Sequence, residues 1–248
     1  MLKDNYEVEI IINGKPAKEY SHKSKIYIEG RQGTKFSIRI RNNSYCRKLF
    51  VPTIDGLSVM NGEEGKFDSS GYIVQGHSSI TIDGWRTSDK EVASFYFSSP
   101  EGSYRKQMKR GDNLGIIGVA VFEEVQSYTM TTSTPFRRYH DYGPEWINSI
   151  NTISYGTFDG GNTTVAMCCS SGVNGSTPTQ QLGTGFGEQK NSEVISVIFE
   201  RASKPDTIFE IHYNTREELE KSGISLKKEP LYVTPQAFPG QYCKPPQN

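Results

Sequence analysis

Gly183-Thr-Gly-Phe-Gly-Glu188 is the run whose spacing comes nearest to nucleotide chemistry. A dinucleotide fold holds pyrophosphate on G-x-G-x-x-G between a strand and a helix, and here the third glycine arrives one position early. No Gly-Lys is followed by Ser or Thr, so a phosphate loop is absent as well. The run is expected to be a turn leading into a strand near Val194. Metal chemistry fares no better. His22, His77, His140 and His212 form no H-x-x-x-H pair, and Cys46, Cys168, Cys169 and Cys243 form no C-x-x-C. The adjacent Cys168 and Cys169 are too close in sequence to chelate one tetrahedral zinc readily. No metal or cofactor is expected.

Acid–base chemistry needs two carboxylates that converge in space. Asp55, Asp83, Asp89 and Glu91 are the candidates for a glycosidase-like pair. Asp55-Gly56 and Asp83-Gly84 are better explained as turns, and no G-x-S-x-G elbow offers a serine nucleophile. The chain is therefore expected not to be an enzyme. Arg105, Lys106, Lys109 and Arg110 form a local basic run, expected on a solvated loop or helix face. Lys plus Arg and Asp plus Glu are 28 each, so no net field draws the chain to nucleic acid or an anionic membrane.

Binding residues are more prominent. Phe136, Arg137, Arg138, Tyr139, Tyr142 and Trp146 crowd rings and guanidiniums into an irregular segment, and Tyr232, Phe238 and Tyr242 follow in a proline-rich tail. Aromatic and arginine side chains dominate the energy of protein interfaces. The same groups, with Trp85, could stack on sugars, or could anchor their own loop.

The elements that must position these groups read as strands. Tyr6, Val8, Ile10 and Ile12 alternate and end at Asn13-Gly14, the dipeptide of a tight hairpin. Phe36, Ile38 and Ile40 alternate with polar residues in the same way. About eight such strands, broken by Gly, Asn and Asp turns, reach Val125 and suit an antiparallel, jelly-roll-like β-sandwich. The mainly β chain is thus divided into a sandwich over 1–125, a loop-rich interaction region over 126–190, a hairpin plus short helix over 191–229, and an extended arm over 230–248. The hairpin is expected to join Glu193–Glu200 to Thr207–Tyr213. Thr215, Glu218 and Gly223 supply the cap signals of the helix. No apolar run approaches the roughly 18 residues needed to cross a bilayer. The N-terminus runs straight into a strand pattern without an apolar leader, so synthesis in a cytoplasm with free thiols is expected.

The stretches Gly71-Tyr-Ile-Val74 and Ser79-Ile-Thr-Ile-Asp-Gly-Trp85 through Phe97 carry a resemblance. So do Gly115–Glu123, Leu182–Glu188, Phe199-Glu-Arg201 and Cys243-Lys-Pro-Pro246. Together they resemble an uncharacterised β-rich family of large double-stranded DNA viruses, phages and some bacteria. The resemblance implies a virion component and carries no functional residues with it. The expected function is a non-enzymatic minor capsid, cement or decoration protein of a virion, with other capsid proteins, or copies of itself, as partners. A carbohydrate-binding or host-adhesion module, with a glycan as ligand, is the alternative.

Overall fold

The computed structural model describes residues 1–125 and 179–226. In chain order the strands are β1 (Leu2–Lys3), β2 (Tyr6–Ile12), β3 (Lys15–Pro16), β4 (Glu19–His22), β5 (Lys25–Glu29), β6 (Phe36–Asn42) and β7 (Lys48–Ile54). Then come β8 (Leu57–Ser58), β9 (Tyr72–Val74), β10 (Ser78–Ile82), β11 (Gly84–Arg86), β12 (Glu91–Ser98), the helical turn α1 (Tyr104–Gln107) and β13 (Ile116–Phe122). After the interval outside the described residues follow β14 (Gly183–Asn191), β15 (Thr207–Asn214) and α2 (Arg216–Lys221).

The first sheet runs β1-β2-β6-β10, with β3 on β2. Alternation dictates its two faces: Val8 and Ile10 lie opposite Ile40 and Ile38, all buried, while Glu9 faces Arg39 on the outside. Asn13 and Gly14 both take positive φ, which gives the β2–β3 hairpin the turn expected for it. The second sheet is β4-β5-β15-β13-β7-β8, with β9 on β7, and the third is β11-β12-β14. Inward side chains of all three share one core. Val8 and Ile40 belong to it with Phe50, Val119 and Phe209, and the Phe36 ring stacks on Phe97 at 4.5 Å. The described residues are therefore mainly β, as expected, with sheets facing across a common interior.

Two late strands correct the expected divisions. Gly183–Asn191 is a strand on β12, not a turn. Thr207–Asn214 is no hairpin arm: it lies between β13, antiparallel, and β5, parallel. With both its edges taken, β15 cannot pair with 193–200, which has no strand structure. Residues 1–125 thus do not complete the sandwich alone, and the described residues all fall within one compact unit.

Helix α2 carries the expected caps with one change. Thr215 Oγ accepts from Glu218 N at 3.4 Å, but the Thr215 N–H donates to Asn214 Oδ1 at 2.8 Å, and Glu218 instead receives Lys221. At the other end Gly223 has φ +83°, and the N–H groups of Gly223 and Ile224 return to the carbonyls of Glu220 and Leu219. Ile224 and Leu226 then cover Tyr20 and Tyr27 on the outer face of β4 and β5.

Candidate protein-binding site

Asp55 is a carboxylate turned into the interior, away from water. It occupies the Asp55-Gly56 turn between β7 and β8, where both residues have positive φ. The turn aims its carboxylate inward. Oδ1 accepts from Tyr213 Oη at 2.7 Å and Gly115 N at 2.8 Å, and Oδ2 accepts from Thr184 N at 2.8 Å. The Tyr213 hydroxyl also lies 2.8 Å from Thr184 Oγ1. Burial pushes Asp55 up to about 6 against the pull of these donors, and burial beside the Asp55 charge raises Tyr213 well above the usual phenol range. A raised carboxyl in a cleft would suggest an acid catalyst. Here Asp55, Thr184 and Tyr213 are each at most 1% exposed, so the group is a knot tying β13, β14 and β15 to one turn.

The other sequence candidates disperse. Asp83 accepts from Ser37 Oγ at 2.5 Å, and the Glu91 carbonyl accepts from Thr87 Oγ1. Arg105 is not on a solvated face: it is 8% exposed, with its guanidinium on the Asp55 carbonyl and the Glu64 carboxylate. Lys106 pairs with Asp112 and Arg110 with Glu63, so most of the basic run is neutralised internally. His77 meets the exposed Tyr45 edge-on, and His212 stacks on Tyr27, its pKa lowered by burial. Trp85 is no sugar platform. It is 2% exposed, packs on Phe95 and Tyr104, and donates Nε1–H to the Gly185 carbonyl. Cys46 is exposed rather than packed. Among the described residues no group of three His, Cys, Asp or Glu could hold a metal.

The glycine run has a packing explanation. Gly183, Gly185 and Gly187 fall on one face of β14, where a Cβ at 183 would meet Ser103, one at 185 the Tyr96 ring, and one at 187 the Ser94 carbonyl. The spacing of two leaves room for an aromatic lying across the strand, and it cradles no phosphate.

What remains is a strap over residues 192–200. One end is tied by Ser192 N to the Lys90 carbonyl and Val194 N to the Asp89 carbonyl, with the Arg86 guanidinium on Ser192. At the other, Val125 N donates to the Glu200 carbonyl, Ala202 N donates to that of Glu123, and Arg201 holds the carbonyls of Phe67 and Ser69. Phe199 packs inward on a small outer cluster of Leu49, Val51, Ala120 and Phe122. Between these anchors Ile195 is 84% and Ile198 93% exposed, with Val197 at 51%. Beneath the strap a groove of about 740 Å³ runs against Tyr72, Ile73 and Ile80. The strap's β-branched residues suit a pleated surface, which is why the sequence predicts a strand here. It is instead apolar chain held open at both ends.

The interface residues expected from sequence, Phe136, Arg137, Arg138, Tyr139, Tyr142, Trp146, Tyr232, Phe238 and Tyr242, lie outside the described residues, as do His140, Cys168, Cys169 and Cys243. No family model, no curated protein and no solved structure matches the chain.

Proposed function

We propose that the chain is a non-catalytic structural protein that attaches to other proteins through the 192–200 strap. Its setting is a virus particle, where it serves as a minor capsid, cement or decoration subunit bridging capsid neighbours. The strap carries the reading: Ile195, Val197 and Ile198, three β-branched apolar side chains within four residues, are half to almost fully exposed on a segment fixed at both ends. Large side chains exposed together mark interaction surfaces, whereas single ones are ordinary. A fixed segment also loses little conformational freedom on binding, so more of the buried apolar area appears as affinity. The virion setting is supported by the family resemblance of the motifs at 71–97, 115–123 and 182–188.

The test is incorporation. Tagged wild type and I195D/I198D are supplied to cells producing the particle, and copies per purified particle are counted by quantitative immunoblot. Both isoleucines are exposed, so the variant keeps its core and its thermal midpoint. Loss of at least about tenfold in copy number is expected, since two desolvated carboxylates cost more than 1.4 kcal/mol. Equal incorporation of folded variant and wild type removes the strap from the function.

A further inference from the structure

We infer that the strap is a processing site: a serine protease with a small aliphatic primary pocket hydrolyses the chain between Val197 and Ile198 and leaves both halves folded together. The inference stands whether or not the strap attaches a partner. It rests first on the backbone. No residue from 192 to 200 lies in a helix, strand, turn or bend, and none takes positive φ. The strap is therefore a straight, extended run, the form in which a cleft binds peptide through main-chain hydrogen bonds. Among the described residues, the N–H groups of residues 195–199 donate to no backbone carbonyl, so a protease takes them without breaking a sheet. Residues 195–198 are exposed in succession, and the groove beneath separates Val194–Val197 from Tyr72, Ile73 and Ile80. Nicking concentrates on exposed chain of this kind.

The side chains select the class of protease. Trypsin-like, chymotrypsin-like and elastase-like pockets take basic, aromatic and small aliphatic side chains respectively. Lys190 lies in β14 opposite Val92, and Arg201 is held by the carbonyls of Phe67 and Ser69. Phe199 packs inward on Leu49, Val51, Ala120 and Phe122. The side chains left for a pocket are Ile195, Val197 and Ile198. Val197 is the smallest of them and stands midway between the anchored residues Val194 and Glu200. Hydrolysis adds water at the Val197 carbonyl carbon and breaks the C–N bond. It leaves a carboxylate on Val197 and an amine on Ile198, which takes up the proton from water. Both sides of the cut keep their places. β14 stays on β12, and β15 stays between β13 and β5 with Tyr213 on Asp55.

The full chain is incubated with a pancreatic-type elastase and, in parallel, with trypsin and with chymotrypsin. Cuts are mapped by intact mass and N-terminal sequencing. Elastase is expected to expose a new N-terminus at Ile198 before any other cut among the described residues, and the other two enzymes to make none within 192–200. The nicked protein should elute with the intact one in size-exclusion chromatography and separate only in urea. I195D/V197D/I198D changes exposed side chains alone and should slow the cut by at least about 100-fold, because an aliphatic pocket rejects a carboxylate. Y213F weakens the core and should leave the rate unchanged, since the strap is cut in the folded state. A rate raised about tenfold by Y213F means cutting through unfolded chain and overturns the inference. So does a strap that elastase leaves whole, or one cut equally fast in the triple variant. A first cut after Ile195 or Ile198 overturns the choice of bond, and a nicked protein that falls apart in buffer overturns the claim that the halves hold.

Discussion

Replacing Asp55 by Asn should remove a component of the pH dependence of stability that the buried knot imposes. Asn tolerates the positive φ of 53° at this position, so the turn survives the change. In the unfolded chain an aspartate titrates at about 3.9, while in the folded chain burial raises Asp55 to about 6. The folded state therefore holds the proton more tightly than the unfolded state. This contribution to stability is fully present below about pH 3.9 and is lost as pH rises through about 6. Over the whole window the two-unit difference amounts to about 3 kcal/mol, and about 2 kcal/mol of it falls between pH 4.5 and 7.5. His212 acts in the opposite sense, because burial lowers its pKa and the neutral form is favoured as pH rises. That effect is common to both proteins and cancels in their difference. Urea titrations of wild type and D55N at the two pH values give the result. On going to pH 7.5, wild type should lose about 2 kcal/mol relative to D55N, a relative shift of its midpoint by about 1 M. Parallel slopes, or a wild type that gains on the variant with rising pH, would refute the assignment of a raised carboxyl to the knot.

Y213F deletes the hydroxyl shared by Asp55 and Thr184 and should cost about 1.5–3 kcal/mol at neutral pH in urea unfolding. G185A places a methyl in the Tyr96 ring and should cost about 1–3 kcal/mol, while adding Y96A should make the double variant lose less than the two singles summed, as a double-mutant cycle detects. Ending the chain after Gly223 rather than after Leu226 removes two buried side chains and should lower stability by about 3–5 kcal/mol. With Trp146 replaced by Phe, the remaining Trp85 should emit at short wavelength and resist iodide quenching, in keeping with its 2% exposure.

The strands of the first sheet were legible because one face meets the core and the other meets water, which writes a period of two into β2 and β6. β14 was missed because half its face is glycine, and the signal was the glycine spacing itself, two rather than three. The 193–200 segment was misread for a non-local reason. Composition reports that a segment suits a sheet, but not whether a neighbouring edge is free, and β15 spends both of its edges elsewhere. Asp55-Gly56 was correctly read as a turn, yet the destination of its carboxylate depends on groups 60, 129 and 158 residues away. Local sequence holds no trace of such partners.

The placing of β15 has a consequence for how the protein is made. Strand β5 leaves the ribosome early beside β4, but the neighbour on its other edge, β15, emerges more than 170 residues later. Until then a nascent chain must carry β5 and β13 with bare hydrogen-bonding edges, which invites pairing with other chains. The closing event is a non-local parallel pairing, intrinsically slow to form. A ribosome paused or a message cut anywhere before Asn214 should therefore yield an aggregation-prone product, and chaperone dependence should be concentrated in that late window of synthesis.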